Sequence, residues 1–225
     1  MKITFYGHAT LGIEVGGKNI IVDPFISAND KANHIDIDSL KADYIFLTHA
    51  HQDHILDVEV IAKNTGATIV SNYELASHFG HKGFNFFPMN HGGSTKFEFG
   101  KVKYVQAVHS SSLPDGSYGG NPGGFVIEGD HKNVYIAGDT ALTMDMKLIP
   151  MRTKLDLAVL PIGDNFTMDI EDAIIASDFV ECNKVLGVHY DTFGIIEIDS
   201  EEAISKFSDK GKELILLEVG ESIEL

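Results

Sequence analysis

His49, His51, Asp53 and His54 put four metal-capable side chains within six positions, and this run limits the fold more than any other stretch. Ahead of it, Tyr44-Ile45-Phe46-Leu47 is a short apolar segment rich in strand formers. Behind it, residues 55–62 read as the start of a helix. Side chains two apart on an extended chain point the same way, so His49 and His51 can grip one cation together. Asp53 and His54 fall where strand gives way to helix and can turn toward a second cation. Histidine and carboxylate are ordinary ligands for zinc and similar metals. A polar surface turn needs no such set; a metal site held at the end of a buried strand does.

The chain around this run alternates strands with helices. Residues 3–5, 11–15 and 19–22 are strand-like runs broken by Gly7 and by the hairpin signal Gly16-Gly17. Asp23-Pro24 ends the third, and an antiparallel meander thus leads into the Tyr44 strand. Residues 27–43 are polar without an apolar period and read as a loop. Strands are expected over 67–71, 85–88, 95–99 and 101–107, with a short helix over 73–78. Residues 110–124, S-S-S-L-P-D-G-S-Y-G-G-N-P-G-G, are a loop by composition: a linker between halves, or a segment that faces substrate. Further strands are expected near 124–127, 133–137, 155–160, 184–188 and 213–217, and helices over 142–148, 170–179 and 200–207. Strands mixed with helices in both halves predict two packed mixed sheets with helices on the outer faces, an α/β (α+β) arrangement. The expectation is one domain over residues 1–225, in two structural halves divided near residue 115.

More candidate ligands sit at strand ends: His109, Asp139 after Ala137-Gly138, and His189 after Gly187-Val188. Groups placed where strands stop can converge on one edge of a rigid sheet. With the first run they make five histidines and two aspartates, enough for two metals with positions left for water or substrate. No thiolate belongs to the set. Zinc is expected first, and manganese, iron and nickel fit the same donors.

The composition excludes several roles. The formal net charge is −16, from 17 basic and 33 acidic residues. That balance opposes nucleic acid and anionic membranes, which call for clustered lysine and arginine. There is no basic start followed by an apolar stretch and no run long enough to span a bilayer, so a cytoplasmic location is expected. The single cysteine, Cys182, excludes an internal disulfide and reads as a buried small hydrophobe.

His49-Ala50-His51-Gln52-Asp53-His54, then His109, Asp139 and His189 in that order, resembles the ligand set of the metallo-β-lactamase superfamily. Within it, Gly7-His8-Ala9-Thr10, Asp23-Pro24, residues 161–168 and His189-Tyr190-Asp191-Thr192-Phe193 are similar to the small metal-dependent hydrolases related to L-ascorbate-6-phosphate lactonase. The resemblance implies an αββα sandwich with two divalent metals at one edge. One metal would take His49, His51 and His109, the other Asp53, His54 and His189, and Asp139 would bridge them. A hydroxide formed between the metals would attack the carbon or phosphorus of a small ester, a lactone or a phosphate ester. Asp53 would orient it. His8, in the turn after the first strand, reads as a catalytic acid near the leaving oxygen or as a support for the ligands. Asp164, Asn165 and Thr167 read as residues that orient substrate or a ligand histidine. Relatives often carry proline where Gly194 stands.

The expected partner is a small-molecule substrate, with homo-oligomers left open. Two alternatives belong beside this reading. One is a phosphodiesterase or nuclease of the same fold, which would call for a basic patch that the chain lacks. The other is a non-hydrolytic iron-binding redox or sensor protein using the same ligands.

Overall fold

A computed structural model describes residues 1–225. Its first sheet has seven strands: β1 (Lys2–Phe5), β2 (Leu11–Val15), β3 (Lys18–Val22), β4 (Tyr44–Phe46), β5 (Thr68–Asn72), β6 (Phe86–Met89) and a returning β14 (Ser222–Glu224) beside β1. The second has β7 (Ser94–Phe97), β8 (Gly100–Gln106), β9 (Gly123–Gly129), β10 (Lys132–Ile136), β11 (Leu157–Pro161), β12 (Lys184–Val188) and β13 (Glu213–Ile215). Both sheets are mixed. β1, β2 and β3 pair antiparallel and β3 to β6 parallel; β7 to β10 pair antiparallel and β10 to β13 parallel.

The parallel strands are apolar on both faces because both faces are covered. Phe46 and Val70 point into the core between the sheets, where they meet Phe125 and Val159 of the second sheet. Their chain neighbours Ile45 and Ile69 point the other way, onto α2 (Val58–Thr65) and α3 (Tyr73–His81). The outer face of the second sheet is covered by α4 (Ile170–Phe179) and α5 (Ser200–Asp209), through Ala173, Ile174, Ala203 and Phe207. A large side chain among these, such as Ile174 or Phe207, contributes roughly 1.5–3 kcal/mol by removal from water. This is the αββα sandwich expected from the sequence. No helix is long and apolar enough to cross a membrane.

Several boundaries differ from the sequence reading. The changeover between sheets falls at residues 90–93, ahead of the expected division near 115, because β7 pairs with β8 and β8 with β9, and neither pairs with β6. Residues 27–43 hold two short 3-10 turns, Asp30–Ala32 and Ile37–Ser39, started by Asn29 and Asp36 side chains that accept from Lys31 N and Asp38 N. The helix expected at 142–148 is a 3-10 turn, Met144–Leu148. The helix after the histidine run is split into α1 (Gln52–Ile55) and α2, and the Asp57 carboxylate at the break accepts from Ile26 N and Ser27 N. β14, with no strong apolar pattern of its own, was not expected.

The sandwich places its chemistry at one edge. His8, His49, His109 and Asp139 each lie three residues past the end of β1, β4, β8 and β10, and His189 directly follows β12. In sheets of this kind ligands bind beyond the carboxyl ends of the strands.

Candidate metal centre

The seven side chains expected as ligands come together. The ligand atoms of His49, His51 and His109 lie within 4.8 Å of one another, as do those of Asp53, His54 and His189. Asp139 stands between the two groups. Its Oδ2 is 3.8 Å from His49 Nε2, 3.6 Å from His109 Nε2, 3.4 Å from His54 Nε2 and 3.0 Å from His189 Nε2. His49 presents Nε2 and His51 presents Nδ1, 3.0 Å apart, to the same point.

The backbone is bent to achieve this. His8, Asp23 and His189 all have φ in the left-handed region, at 55°, 45° and 58°. Non-glycine residues adopt it seldom, and such residues cluster where surrounding structure holds them for function. Ahead of Asp139, Gly138 has φ +66°, and a Cβ there would meet Thr48 Cβ at 2.7 Å. The close approach of these two loops therefore depends on glycine.

Asp23 orients the first run. Its Oδ1 accepts from Thr48 N at 2.8 Å, and its Oδ2 accepts from the Thr48 hydroxyl at 2.6 Å and from His54 Nδ1 at 2.9 Å. With its proton given to Asp23, the Thr48 hydroxyl accepts from His49 Nδ1, 3.0 Å away. Both imidazoles thus carry hydrogen on Nδ1 and turn an Nε2 lone pair inward. An outer partner of this kind fixes the tautomer of a metal-binding histidine. The sequence marks Asp23 as a strand terminator and as part of the Asp23-Pro24 resemblance, without a role toward the histidines, and does not single out Thr48. The signal for Asp23 is an acidic residue directly after the apolar run Ile20-Ile21-Val22.

Electrostatics follow burial and pairing. Burial opposes ionisation of Asp139, but His54 and His189 outweigh it and hold the carboxyl well below the usual range. The same contest holds Asp53 low, through His189 and His8. Burial also opposes charge on His189, yet Asp139 and Asp53 push it up to about 9. His49, fully buried, is driven well below its ordinary value by desolvation, and neighbouring His54 adds to the shift.

His8 belongs to this edge. Its Nε2 is 3.0 Å from Asp53 Oδ2 and its Nδ1 is 2.9 Å from Thr192 Oγ1. Its carbonyl accepts from His189 N at 2.8 Å, so the first strand's turn also braces His189. The side chain has no exposed surface, and its ring packs beside Phe25, Phe193 and His189. Burial lowers its imidazole to about 4, with Asp53 opposing. It touches Asp53 and Thr192 rather than open solvent. Thr192 had no role in the sequence reading.

Other candidates stay apart. Asp164 accepts from Asn165 N at 2.6 Å and shapes its own turn, and the Thr167 hydroxyl reaches Met168 O. None of the three bonds a histidine of the cluster; the loop is tied to the edge by Met168 N donating to Thr140 O at 3.2 Å. His34 and His91 bond the carbonyls of Val219 and Pro122. The 110–124 loop does reach the site. Ser110 Oγ is 3.3 Å from His51 Nε2, and Ser111 Oγ accepts from Ala50 N at 3.1 Å.

The donor set fits cations. His54 Nε2 and Asp139 Oδ1 are buried and have no hydrogen-bond partner. A buried polar atom left unpaired costs about 1–3 kcal/mol, and here a lone pair and an ionised carboxylate face the cluster that five histidines and two aspartates form.

Comparison with known proteins agrees. Residues 18–190 match the model of the β-lactamase superfamily domain. A UPF0173 metal-dependent hydrolase of Flavobacterium johnsoniae is 76% identical over the whole of both chains, and one of Methylacidiphilum infernorum is 49% identical, again over both whole chains. Among solved structures, Igni18, a metallo hydrolase from Ignicoccus hospitalis, superposes with a TM-score of 0.90 at 35% identity, covering 100% of this chain and 98% of that one. The chain is thus a metal-dependent hydrolase, a member of the UPF0173 family within the metallo-β-lactamase superfamily.

Proposed function

We propose that the cluster holds two divalent cations and that the chain hydrolyses a small ester there, a lactone or a phosphate ester. One relationship carries this reading: Asp139 Oδ2 lies within 3.8 Å of histidine nitrogens from both groups, beside the unpartnered His54 Nε2. Divalent cations supply Lewis acidity and a water that ionises near neutral pH.

The chain's own residues do the rest. Asp139 fixes the spacing of the two groups. Asp23 and Thr48 hold His49 and His54 in one tautomer. Asp53, ionised and 27% exposed at its side chain, is the group that would orient the attacking water. His8 and Thr192 keep that carboxylate aimed. The 110–124 loop, anchored at His51 and Ala50, forms one wall of the approach. Zinc suits these donors best, with manganese, iron and nickel as substitutes.

The test is a panel of lactones, phosphodiesters, thioesters and β-lactams offered to the purified chain, reloaded with each metal in turn. Turnover of lactones or phosphate monoesters is expected. Good cleavage of bis(p-nitrophenyl) phosphate with no lactone opened would replace this reading with a phosphodiesterase. Iron retained through purification, with no turnover on any substrate, would favour the redox or sensor alternative.

A further inference from the structure

A cavity of about 640 Å³ opens on the outer face of the second sheet. None of the seven cluster residues lines it. Its floor is apolar: Val105 and Val126 from the sheet, with Met146 and Ile149 from the 3-10 turn and its continuation. Two cations stand in its lining, Lys103 and Arg152. Arg152 is the one arginine among 17 basic residues. Lys101 and Lys132 of the same sheet are taken by Glu128 and Asp156, whereas Lys103 and Arg152 pair with no carboxylate. Lys103 Nζ donates to Gly92 O at 2.8 Å and keeps further donors free. Asp145 is the single carboxylate of the lining, so positive charge is in excess there, on a chain whose net charge is −16.

We propose that this cavity is a second binding site, for an amphiphilic anion: an unbranched acyl chain ending in a carboxylate. The volume lies in the usual range for small-molecule sites, which are apolar with a few convergent polar groups. The acyl chain would lie on Val105, Val126, Met146 and Ile149, and its carboxylate between Arg152 and Lys103. A guanidinium matches a carboxylate in a two-bond fork. Each buried methylene strengthens such binding by up to about fourfold, and the charged head selects an anion over a neutral chain.

The test uses the full metal-loaded chain with decanoate as probe, and decanol and decyltrimethylammonium as neutral and cationic counterparts. Binding is read from isotope-labelled methyl groups of Met146, Met151 and Ile149, so a carboxylate at the metal cluster is not counted. Saturable shifts with decanoate are expected, weaker with octanoate, and absent with the cation. Arg152→Gln should weaken decanoate about tenfold, the worth of one charge-assisted contact. Arg152 is exposed, so its replacement leaves the fold intact. Equal affinity for decanol and decanoate, or unchanged affinity in Arg152→Gln, would overturn the proposal. So would a stable dimer by light scattering that Met151→Glu dissociates while decanoate leaves the methyl groups unmoved; the cavity would then belong to a second copy.

Discussion

His54 gives one ring nitrogen to Asp23: its Nδ1 lies 2.9 Å from Asp23 Oδ2, and its Nε2 is left facing Asp139 at 3.4 Å. The same Asp23 oxygen takes the Thr48 hydroxyl that sets His49. One carboxylate thereby fixes two histidines assigned to different metals. Asp23→Asn keeps the shape but has one acceptor oxygen, so its NH2 must face either Thr48 N or the pair of donors from the Thr48 hydroxyl and His54 Nδ1. Metal affinity should fall about 10–100-fold, measured by competition with a chromogenic chelator. An unchanged affinity would show that the ring orientations are set by packing alone.

The sequence displayed the site's inner residues well and its supports poorly. His49 to His54 are visible because imidazole and carboxylate rarely crowd together without a metal. His109, Asp139 and His189 are visible once strand ends are located: the strand before His109 alternates polar and apolar residues, and those before Asp139 and His189 end in apolar runs. Asp23 and Thr48 have no such spacing signal. Their partners come from β3 and β4, which are adjacent only after parallel pairing of Val22 with Phe46. The changeover between sheets was hidden for a related reason. β7, Ser94–Phe97, carries a single apolar residue and so no pattern that chooses between β6 and β8 as a neighbour, and the hairpin register Ser94↔Lys103 decides it.

Asp139→Ala should remove at least one metal per chain and most activity, because this carboxylate alone approaches both groups. Elemental analysis of carefully loaded wild type is expected to give close to two metals per chain. One metal or none would sink the dinuclear assignment.

Nucleic acid should not bind at physiological salt. The net charge is −16, and the 110–124 and 164–168 loops carry no lysine or arginine. Neutralising phosphates needs such residues in number. A mobility-shift titration showing tight, salt-sensitive binding would restore the nuclease alternative.

Tyr135 offers a stability test far from the chemistry. Its hydroxyl is fully buried against the outer helices and has no partner. Tyr135→Phe should stabilise the protein by about 1 kcal/mol, roughly 2–4 °C in Tm. Burial raises the phenol above its ordinary 10.0. A raised folded pKa means the contribution is fully present below pH 10.0 and is lost as pH climbs through the folded value. Wild type should therefore lose stability above that pH more steeply than the phenylalanine variant. Parallel alkaline limbs in denaturant titrations would contradict this.

His8 decides between support and direct proton transfer. Its two nitrogens are both engaged, with Asp53 Oδ2 at 3.0 Å and Thr192 Oγ1 at 2.9 Å, and its side chain is closed to solvent. A group so placed is expected to act by aiming Asp53. His8→Ala should lower kcat well beyond any loss of metal, because Asp53 loses the donor that fixes its oxygen. His8→Gln, which can still donate toward Asp53, should recover part of that loss, an outcome open to a positioning residue and closed to a proton donor. Thr192→Val, which removes the far bond of the pair, should lower kcat in the same direction by a smaller factor. The measurements are kcat, KM and metal content on the same preparations. Loss of metal in proportion to activity in His8→Ala would instead make His8 a ligand of the second group, whose atoms it approaches within 4.8 Å.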